Sequence, residues 1–298
     1  MKKIIFIVGD GIGNQVQTIP ALVYLKKKYG YFVTVYNTMP TTKKPTKILF
    51  EHIADEIVIR GEPINKPIYA GQFITSRGWD KPLKHVKILN SRHCKNITKV
   101  SEIEYNLSIV DTGYTNEDFS IDEDLYSHVQ TSIDVPDIIV HNGYSKVSSA
   151  ARRRWECKSY SRYKELCRKL LSRGFSVGSI GSKDEYVPGT LNLTGLNLRD
   201  SMGVIKGSKL LISNDTSTYH IANILCKNNI AIYTMTNPGK NYDQRFHKFT
   251  SIIRKKMSCS PCQKKAPDFW LYNKKQCGWR CRDIKPDIIV NKAIEIIS

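Results

Sequence analysis

Two polar segments of the chain have residue types and spacing suited to holding an anionic ligand. Residues 9–14 (GDGIGN) follow an apolar run and open a helical pattern. Glycines let a backbone approach a ligand closely, and the start of a helix presents N–H groups to an anion. Residues 213–220 (SNDTSTYH) also stand between a strand pattern and a helical pattern. Their hydroxyls and amides would stabilise the charge that grows on a diphosphate leaving group.

Each segment also has a structural interpretation, which the sequence leaves open. The spacing of residues 9–14 departs from the dinucleotide fingerprint, because Val16 stands where a third glycine would be required. Glycines are also common in tight turns, and an Asp-Thr-Ser run is an ordinary helix N-cap. His220, in the second helical pattern, has either a packing role or a role facing a phosphate.

Four of the eight cysteines have the spacing of a metal site, C-x2-C-x14-C-x3-C, which suits a tetrahedral structural zinc. Free or redox-active thiols are the alternative. The four are Cys259, Cys262, Cys277 and Cys281. The other cysteines show no ligand spacing, so we predict that they are buried apolar residues. They are Cys94, Cys157, Cys167 and Cys226.

The first residues predict a strand rather than an export signal, because Met1, Lys2 and Lys3 lead into only five apolar residues before Gly9. No window approaches the roughly 18 uninterrupted apolar residues of a membrane span. We therefore expect a cytoplasmic protein, in which a reducing environment favours metal binding by clustered cysteines over disulfides.

The chain is strongly basic, with 46 Lys and Arg against 27 Asp and Glu and a formal net charge of +19. Residues 146–173 and 254–285 each contain ten basic and two acidic residues. This excess favours contact with a polyanion, while solvated helix faces are the alternative. The predicted polyanion contacts are Trp155, Lys164, Arg168 and Lys169. Further aromatic residues that resemble stacking platforms for bases are Tyr160, Tyr163, Trp270, Tyr272 and Trp279.

Alternating strand and helix patterns predict an α/β protein with a parallel sheet in each half of the chain. Strands are predicted at residues 2–8, 31–36, 56–59, 138–141, 175–180, 209–213 and 230–233. Helices are predicted at residues 16–28, 47–53, 159–172, 199–206, 218–226 and 287–297. Both polar segments therefore lie between a strand and the helix that follows it.

Five short segments, taken in order, carry a resemblance to a known family. Residues 13–22 (GNQVQTIPAL) are similar to G-D-x-x-x-T-x-P-x-L, and residues 214–222 (NDTSTYHIA) to N-D-T-G-x-x-H-x-A. Between them stand His141-Asn142-Gly143, Arg153-Arg154-Trp155 and residues 181–185 (GSKDE). In these segments the chain resembles glycosyltransferase family 9, the heptosyltransferase-like family, whose members invert the anomeric centre of a nucleotide-activated sugar.

The resemblance implies the GT-B fold, in which two Rossmann-like domains enclose a donor/acceptor cleft. It assigns residues 1–132 to an N-terminal acceptor-binding domain and residues 133–298 to a C-terminal domain that binds the nucleotide-sugar. The second domain would include the cysteine-rich segment 259–281 and a final helix at 286–298. Similar family members often carry a comparable cysteine-rich stretch, which supports the structural metal.

Carried over position by position, the resemblance implies that Thr216 and Ser217 bind the donor diphosphate and that Glu185 binds the ribose. Arg153 or Arg154 takes the place of a family lysine near the phosphates. The full predicted donor-binding set is Gly11, Gly13, Arg153, Arg154, Gly181, Glu185, Asp215, Thr216, Ser217, Thr218 and His220.

The candidate catalytic residues are Asp10 and Asn14. The general base of the family is implied to be an aspartate at the position of Asn14, and an asparagine amide does not accept a proton at neutral pH. Asp10 lies in the same loop and is the substitute that we expect, since inverting attack needs a carboxylate near the acceptor hydroxyl. A loop aspartate that hydrogen-bonds its own turn is the alternative.

The basic segments and their aromatic residues lead us to expect a hydroxylated or hydroxymethylated base in DNA as the acceptor. The alternative from the family is a lipopolysaccharide or another surface glycan, with the enzyme peripheral at the inner membrane. A non-catalytic protein that binds a nucleotide-sugar or nucleic acid is a third possibility, because Asn14 replaces the family base. No cofactor is expected in catalysis, because a helix dipole and arginine charges can neutralise the diphosphate.

Overall fold

The computed structural model describes residues 3–8, 11–37, 40–60, 72–75, 88–90, 101–110, 121–144, 156–262 and 278–298. The chain divides into two compact units. The first comprises Met1–Leu125 and Tyr242–Phe246, and the second comprises Tyr126–Asn241 and His247–Ser298. The predicted division after residue 132, with its acceptor and donor roles, stays a prediction.

The first unit contains a parallel sheet of five strands. They are β1 (Lys3–Val8), β2 (Phe32–Asn37), β3 (Glu56–Ile59), β4 (Gln72–Thr75) and β5 (Ile88–Asn90). The described helices of this unit are α1 (Ile12–Val16), α2 (Ile19–Tyr29), α3 (Lys43–Phe50) and α4 (Glu102–Val110). Neighbouring strands follow the order β3-β2-β1-β4-β5.

Residues 12–29 form two helices where the sequence predicts one over residues 16–28. The first ends at Val16, and the second begins at Ile19 with Pro20 in its first turn. Proline has no N–H to donate and is therefore tolerated in the first turn of a helix but not in its interior. The second helix stops at Gly30, whose φ of 59° lies in the left-handed region that suits a glycine cap.

The second unit contains a parallel sheet of six strands. They are β6 (Ile138–His141), β7 (Val177–Gly181), β8 (Leu191–Thr194), β9 (Leu210–Asn214), β10 (Asn229–Tyr233) and β11 (Thr250–Arg254). The described helices are α5 (Tyr163–Leu171), α6 (Leu198–Gly207), α7 (Ser217–Ile224), α8 (Pro238–Asn241) and α9 (Pro286–Ile297). Three short 3-10 helices span Glu156–Lys158, Lys183–Glu185 and Arg280–Arg282.

The strand order of the second sheet is β11-β10-β9-β6-β7-β8, and every pair is parallel. Counted from its own first strand, this is the 3-2-1-4-5-6 order of a doubly wound Rossmann sheet. The chain reverses its direction of winding between β6 and β9, which are neighbours. Ligands of such sheets bind beyond the carboxyl ends of the strands at this switch point. The parallel sheets predicted for both halves of the chain are confirmed.

A buried core joins the second sheet to α5 and α9. Leu166 and Leu170 of α5 and Ile289 and Ala293 of α9 are each fully buried in it. The helical repeat places residues three and four apart on one face, so Tyr163 of α5 is buried as well, at 3% exposure. Tyr160 is also buried in this core, at 2% exposure, so the prediction that Tyr160 and Tyr163 serve as stacking platforms is wrong.

The fold offers no membrane-spanning element among the residues that the structure describes: none of their helices is both long and apolar enough to cross a bilayer.

Candidate functional site

Strands β6 and β9 end side by side at the switch point of the second sheet. His141 is the last residue of β6 and pairs in register with Ser213 of β9. Asn214 ends β9, and two residues later Ser217 begins α7. The polar segment singled out in the sequence therefore lies where a doubly wound sheet binds its ligand.

His141 connects three parts of this site through its two ring nitrogens. Its Nδ1 lies 3.1 Å from the Thr216 hydroxyl and 2.9 Å from the Thr218 hydroxyl. Its Nε2 lies 3.3 Å from the Glu185 carboxylate, with the His141 and Glu185 side chains only 10% and 7% exposed. A carboxylate only accepts, so Nε2 donates the hydrogen bond to Glu185, and the threonine hydroxyls, which can both donate and accept, suit Nδ1 in either role. The resulting network fixes the ring and the two hydroxyls.

Thr216 precedes α7, but its hydroxyl does not cap the helix. It bonds instead with His141 and with the Thr218 hydroxyl, 2.9 Å away. The Asp215-Thr216-Ser217 segment is therefore not an ordinary N-cap in which the Thr216 hydroxyl caps the helix. Thr216, Ser217 and Thr218 are half-buried, so the first turn of α7 presents hydroxyls and backbone N–H groups at the rim of the sheet.

Glu185 is held by a capping box at the end of β7. Its carboxylate accepts from the Ser182 backbone N–H at 2.9 Å, and the Ser182 side chain accepts from the Glu185 backbone. Two glycines leave room for this carboxylate, because a Cβ at Gly143 or Gly181 would collide with Glu185 and with the His141 ring. Gly181 also has a φ of 120°, which L side chains rarely adopt. The predicted residues Gly181 and Glu185 thus adjoin the predicted threonines.

Asp215 is buried at 2% exposure between two partners that the sequence did not reveal. The Asn241 side-chain amide donates to its carboxylate at 2.7 Å, and Lys158 Nζ lies 3.7 Å from the same oxygen. Lys158 is mostly buried, with a side-chain exposure of 16%. Lys158 stands three residues after Trp155, outside the Arg153-Arg154-Trp155 segment that carried the resemblance, so no signal in the sequence pointed to it.

His220 lies on the buried face of α7, as the packing alternative requires. Its Nδ1 is 2.9 Å from Nε2 of His247, and both rings are buried. Burial, and secondarily the charge of Lys158, lower the pKa of His220 well below its usual value. His220 is therefore neutral at physiological pH.

The glycine-rich segment belongs to the first unit, where Gly11 is the exposed N-cap of α1. Gly13 and Asn14 lie in the first turn of α1, and the Asn14 backbone N–H donates to the Gly11 carbonyl at 3.0 Å. Asp10, Arg153, Arg154 and Trp155 lie outside the described residues.

Three cysteines from distant parts of the chain meet in the second unit. Cys157, Cys262 and Cys281 are buried in one cluster with Met235. The prediction that Cys157 is a buried apolar residue is confirmed, and its Sγ lies 3.9 Å from Sγ of Cys281. A hydrogen bond from Cys157 lowers the pKa of Cys281 to about 7, and the same bond, with burial, raises the pKa of Cys157.

Among the other described cysteines, Cys167 and Cys226 lie outside this cluster, and Cys226 is half-buried rather than buried as predicted. Cys259 is half-buried and precedes Cys262 by three residues, while Cys277 lies outside the described residues, as does Cys94. Cys167 is buried in the main core, where burial raises its pKa to about 12. Among the residues that the structure describes, these thiols do not form a group of three ligand atoms within 4.8 Å of one another, so the structural zinc at Cys259, Cys262, Cys277 and Cys281 stays a prediction.

The described basic residues of α5 divide into exposed and ion-paired side chains. Lys164 and Arg168 are exposed, whereas Lys169 donates to Asp287 at 2.7 Å. The Arg162 guanidinium, just before α5, lies 2.7 Å from Glu165. Part of the positive charge predicted to track phosphates is therefore neutralised within the unit, and Trp270 and Tyr272 lie outside the described residues.

Comparison with solved structures gives the fold. E. coli heptosyltransferase WaaC with ADP matches with a TM-score of 0.60 and 12% identity, over 84% of this chain and 92% of that one. The glycosyl transferase family 9 protein from Veillonella parvula matches with a TM-score of 0.66 and 15% identity, over 99% of this chain and 97% of that one. The dodecameric iron-containing heptosyltransferase TibC of enterotoxigenic E. coli was solved in complex with ADP-D-beta-D-heptose. It matches with a TM-score of 0.68 and 12% identity, over 100% of this chain and 77% of that one. The predicted GT-B class is confirmed.

The sequence itself matches a family. No curated protein matches the chain, but residues 76–272 of its 298 match glycosyltransferase family 9 (heptosyltransferase). This match covers β6 to β11 and α5 to α8, and hence every described residue of the cluster around His141. The chain therefore belongs to glycosyltransferase family 9, and it is a nucleotide-sugar-dependent glycosyltransferase.

Proposed function

We propose that the protein transfers a sugar, with inversion, from a nucleoside-diphosphate-sugar to a hydroxyl group of a glycan. The observation that carries this proposal is the cluster of His141, Glu185, Thr216 and Thr218 at the switch point of the second sheet. It joins a carboxylate suited to ribose hydroxyls with a helix start suited to phosphates.

In this proposal the diphosphate lies against the first turn of α7. Backbone N–H groups of α7 and the hydroxyls of Thr216, Ser217 and Thr218 donate to its oxygens, and the helix dipole favours its charge. Lys158, which lies beside Asp215, adds a positive charge at the same edge. These groups stabilise the leaving nucleoside diphosphate as the bond to the sugar breaks. The transfer step therefore uses no metal.

The Glu185 carboxylate accepts hydrogen bonds from the ribose hydroxyls. It is already oriented by Ser182 and His141, so little side-chain entropy is lost when the ribose binds. Gly143 and Gly181 keep the space beside the carboxylate open, since either would clash with it if it carried a Cβ.

Asp10 is the proposed general base. The family aspartate is replaced by Asn14, and Asp10 is the carboxylate that precedes it in the same loop. Asp10→Asn should abolish transfer while donor affinity stays nearly unchanged, because the base acts on the acceptor. Asn14→Asp should be tolerated, and it should restore transfer to the Asp10 variant if both side chains face one hydroxyl. Full turnover by Asp10→Asn would remove Asp10 from the mechanism.

A glycan acceptor has more support than a base in DNA. Solved relatives of the same fold include an ADP-heptose lps heptosyltransferase from E. coli, and two of the six aromatic residues expected to stack on bases are buried. The positive charge then suits a phosphorylated glycan or an anionic lipid surface. By the same analogy, ADP-heptose is the first donor to test, because TibC and WaaC were solved with ADP-heptose and ADP.

Thermal unfolding in the presence of single nucleotides and nucleotide-sugars tests the donor site. A donor at about a hundred times its dissociation constant stabilises the folded state by about 2.7 kcal/mol. We expect stabilisation by ADP and its sugar conjugates that Glu185→Ala removes. If no nucleoside diphosphate shifts the midpoint of the wild-type protein, the proposed donor site is wrong.

A further inference from the structure

The His141 ring lies between the carboxylate proposed to hold the ribose and two hydroxyls proposed to hold the diphosphate. Its Nδ1 atom and the Oγ1 atoms of Thr216 and Thr218 form a closed triangle, with sides of 3.1, 2.9 and 2.9 Å. Each hydroxyl has a single hydrogen to donate. The number of hydrogens that the threonines offer to a ligand therefore depends on the protonation state of the ring.

A neutral His141 ring leaves few hydroxyl hydrogens for a ligand. Its one N–H is at Nε2 and donates to Glu185, so Nδ1 accepts a hydrogen from one of the two threonines. The other hydroxyl has further acceptors within reach, the neighbouring threonine oxygen at 2.9 Å and, for Thr216, the Asn214 carbonyl at 3.3 Å. At most one of the two hydroxyl hydrogens can then point at a phosphate oxygen.

A second proton on Nδ1 reverses these roles. Nδ1 then donates to the threonine oxygens, and both hydroxyl hydrogens can point at phosphate oxygens. We propose that His141 takes up a second proton when the donor binds, and that the imidazolium acts through Thr216 and Thr218 to present both hydroxyls to the diphosphate. His141 is thus a positioning residue, and this assignment rests on the proposed function.

The charges around the ring favour this change. The Glu185 carboxylate lies 3.3 Å from Nε2 of His141, and the diphosphate of the donor brings further negative charge to the side of Nδ1. Opposite charges within about 4–6 Å favour the charged form of a titrating group. The other charged side chains of the short helix Lys183–Glu185 are exposed, and the Asp215 carboxylate is paired with Lys158. Donor binding is therefore the event that changes the charge balance at this ring.

The same imidazolium stabilises the leaving group during transfer. As the bond between the anomeric carbon and the diphosphate breaks, its electron pair stays on the diphosphate oxygen, which gains negative charge. The acceptor proton passes to the proposed base Asp10, whereas the second proton of His141 comes from solvent during donor binding and stays on the ring. The threonine hydroxyls, polarised by the imidazolium, donate more strongly to the growing charge.

Calorimetric titration of the wild-type protein with ADP-heptose tests the proton uptake. Titrations at pH 7 in two buffers of different ionisation enthalpy give the number of protons taken up per donor bound, because the buffer supplies them. We expect an uptake of up to about one proton, and an affinity that falls by up to about tenfold per pH unit as the pH rises through the range in which imidazole titrates. ADP-heptose is the probe because its doubly esterified diphosphate does not titrate there, whereas the terminal phosphate of ADP does.

Two substitutions of His141 assign the proton to this ring. His141→Gln keeps an N–H toward Glu185 but cannot bind a second proton, and His141→Asn places a non-titrating amide near the position of Nδ1. Both variants should bind ADP-heptose without proton uptake and with an affinity that is constant between about pH 6 and 8. His128→Asn is the matched control, because His128 is an exposed histidine of the same unit; it should keep the proton uptake.

The outcomes separate the role of the ring from the proposed function. Donor binding by the wild type without proton uptake overturns the role of His141 and leaves the proposed function standing; this measurement is decisive even if the variants fold poorly. Proton uptake that persists in both His141 variants places the proton on another group and likewise overturns the role. A protein that binds neither ADP-heptose nor ADP at any pH contradicts the proposed function, and this inference with it.

Discussion

His141 Nδ1 lies 2.9 Å from the hydroxyl of Thr218, while Nε2 of the same ring lies 3.3 Å from the Glu185 carboxylate. A single imidazole thus joins the carboxyl end of β6, the first turn of α7 and the capping box after β7. Because each ring nitrogen contacts a different partner, the ring holds a carboxylate and two hydroxyl groups in fixed positions.

Thr218→Val should weaken donor binding by about twofold to tenfold, since a net hydrogen bond contributes about 0.5–1.5 kcal/mol. The side chain keeps its shape but loses the hydroxyl that faces His141. Titration of ADP by calorimetry measures the change. Thr194→Val, at the end of β8, is the control and should bind normally. Equal affinity in Thr218→Val and the wild type would contradict a role for this hydroxyl.

Lys158→Met should destabilise the protein more than the double change Lys158→Met with Asp215→Asn. The single variant leaves the carboxylate of Asp215, 3% exposed, without its cationic partner, and an uncompensated buried charge is costly. A double-mutant cycle in urea should give a coupling energy of about 0.5–3 kcal/mol. Additive effects of the two changes would mean that the pair does not interact.

Tyr219→Phe should lower the free energy of unfolding by about 1–3 kcal/mol, because it removes buried hydrogen bonds. The Tyr219 hydroxyl bonds with that of Tyr233 at 2.6 Å and donates to the Asn241 carbonyl, next to the amide that holds Asp215. The shift of the urea midpoint measures this. Tyr186→Phe, at an exposed position, should change it little; equal shifts in both variants would argue against the buried network.

Asp137 should stabilise the second sheet in a pH-dependent manner. Hydrogen bonds from Lys209 and Ser176 lower its pKa from 3.8 to about 2. Because the folded pKa is depressed, the stabilisation is complete above pH 3.8 and is lost as the pH falls through about 2. The difference in stability between wild type and Asp137→Asn should therefore be constant from neutral pH down to about 4 and shrink below it. A difference independent of pH would show that ionisation of Asp137 is not involved.

Local patterns predicted the elements around the site better than the contacts within it. The alternation of strands and helices, and the placement of residues 213–220 between β9 and α7, follow from residues close in sequence. The split between α1 and α2 was also readable, since Pro20 belongs in the first turn of a helix.

Contacts between distant residues could not be read from spacing. Lys158 meets Asp215 and Cys157 meets Cys281 only because the sheet brings their segments together. The burial of Tyr163 is a different case. The spacing of Tyr163, Leu166 and Leu170 places them on one face of a helix, which predicts burial. The interpretation of Tyr163 as an aromatic platform relied instead on the basic residues around it.

The transfer reaction itself is the most direct test of a glycan acceptor. Enzyme and ADP-heptose are incubated in parallel with a lipopolysaccharide core acceptor, with hydroxymethylated DNA and with unmodified DNA, and each acceptor is then weighed by mass spectrometry. We predict that the glycan alone gains the mass of one sugar and that Asp10→Asn abolishes this gain. A sugar added to hydroxymethylated DNA and not to the glycan would contradict the account.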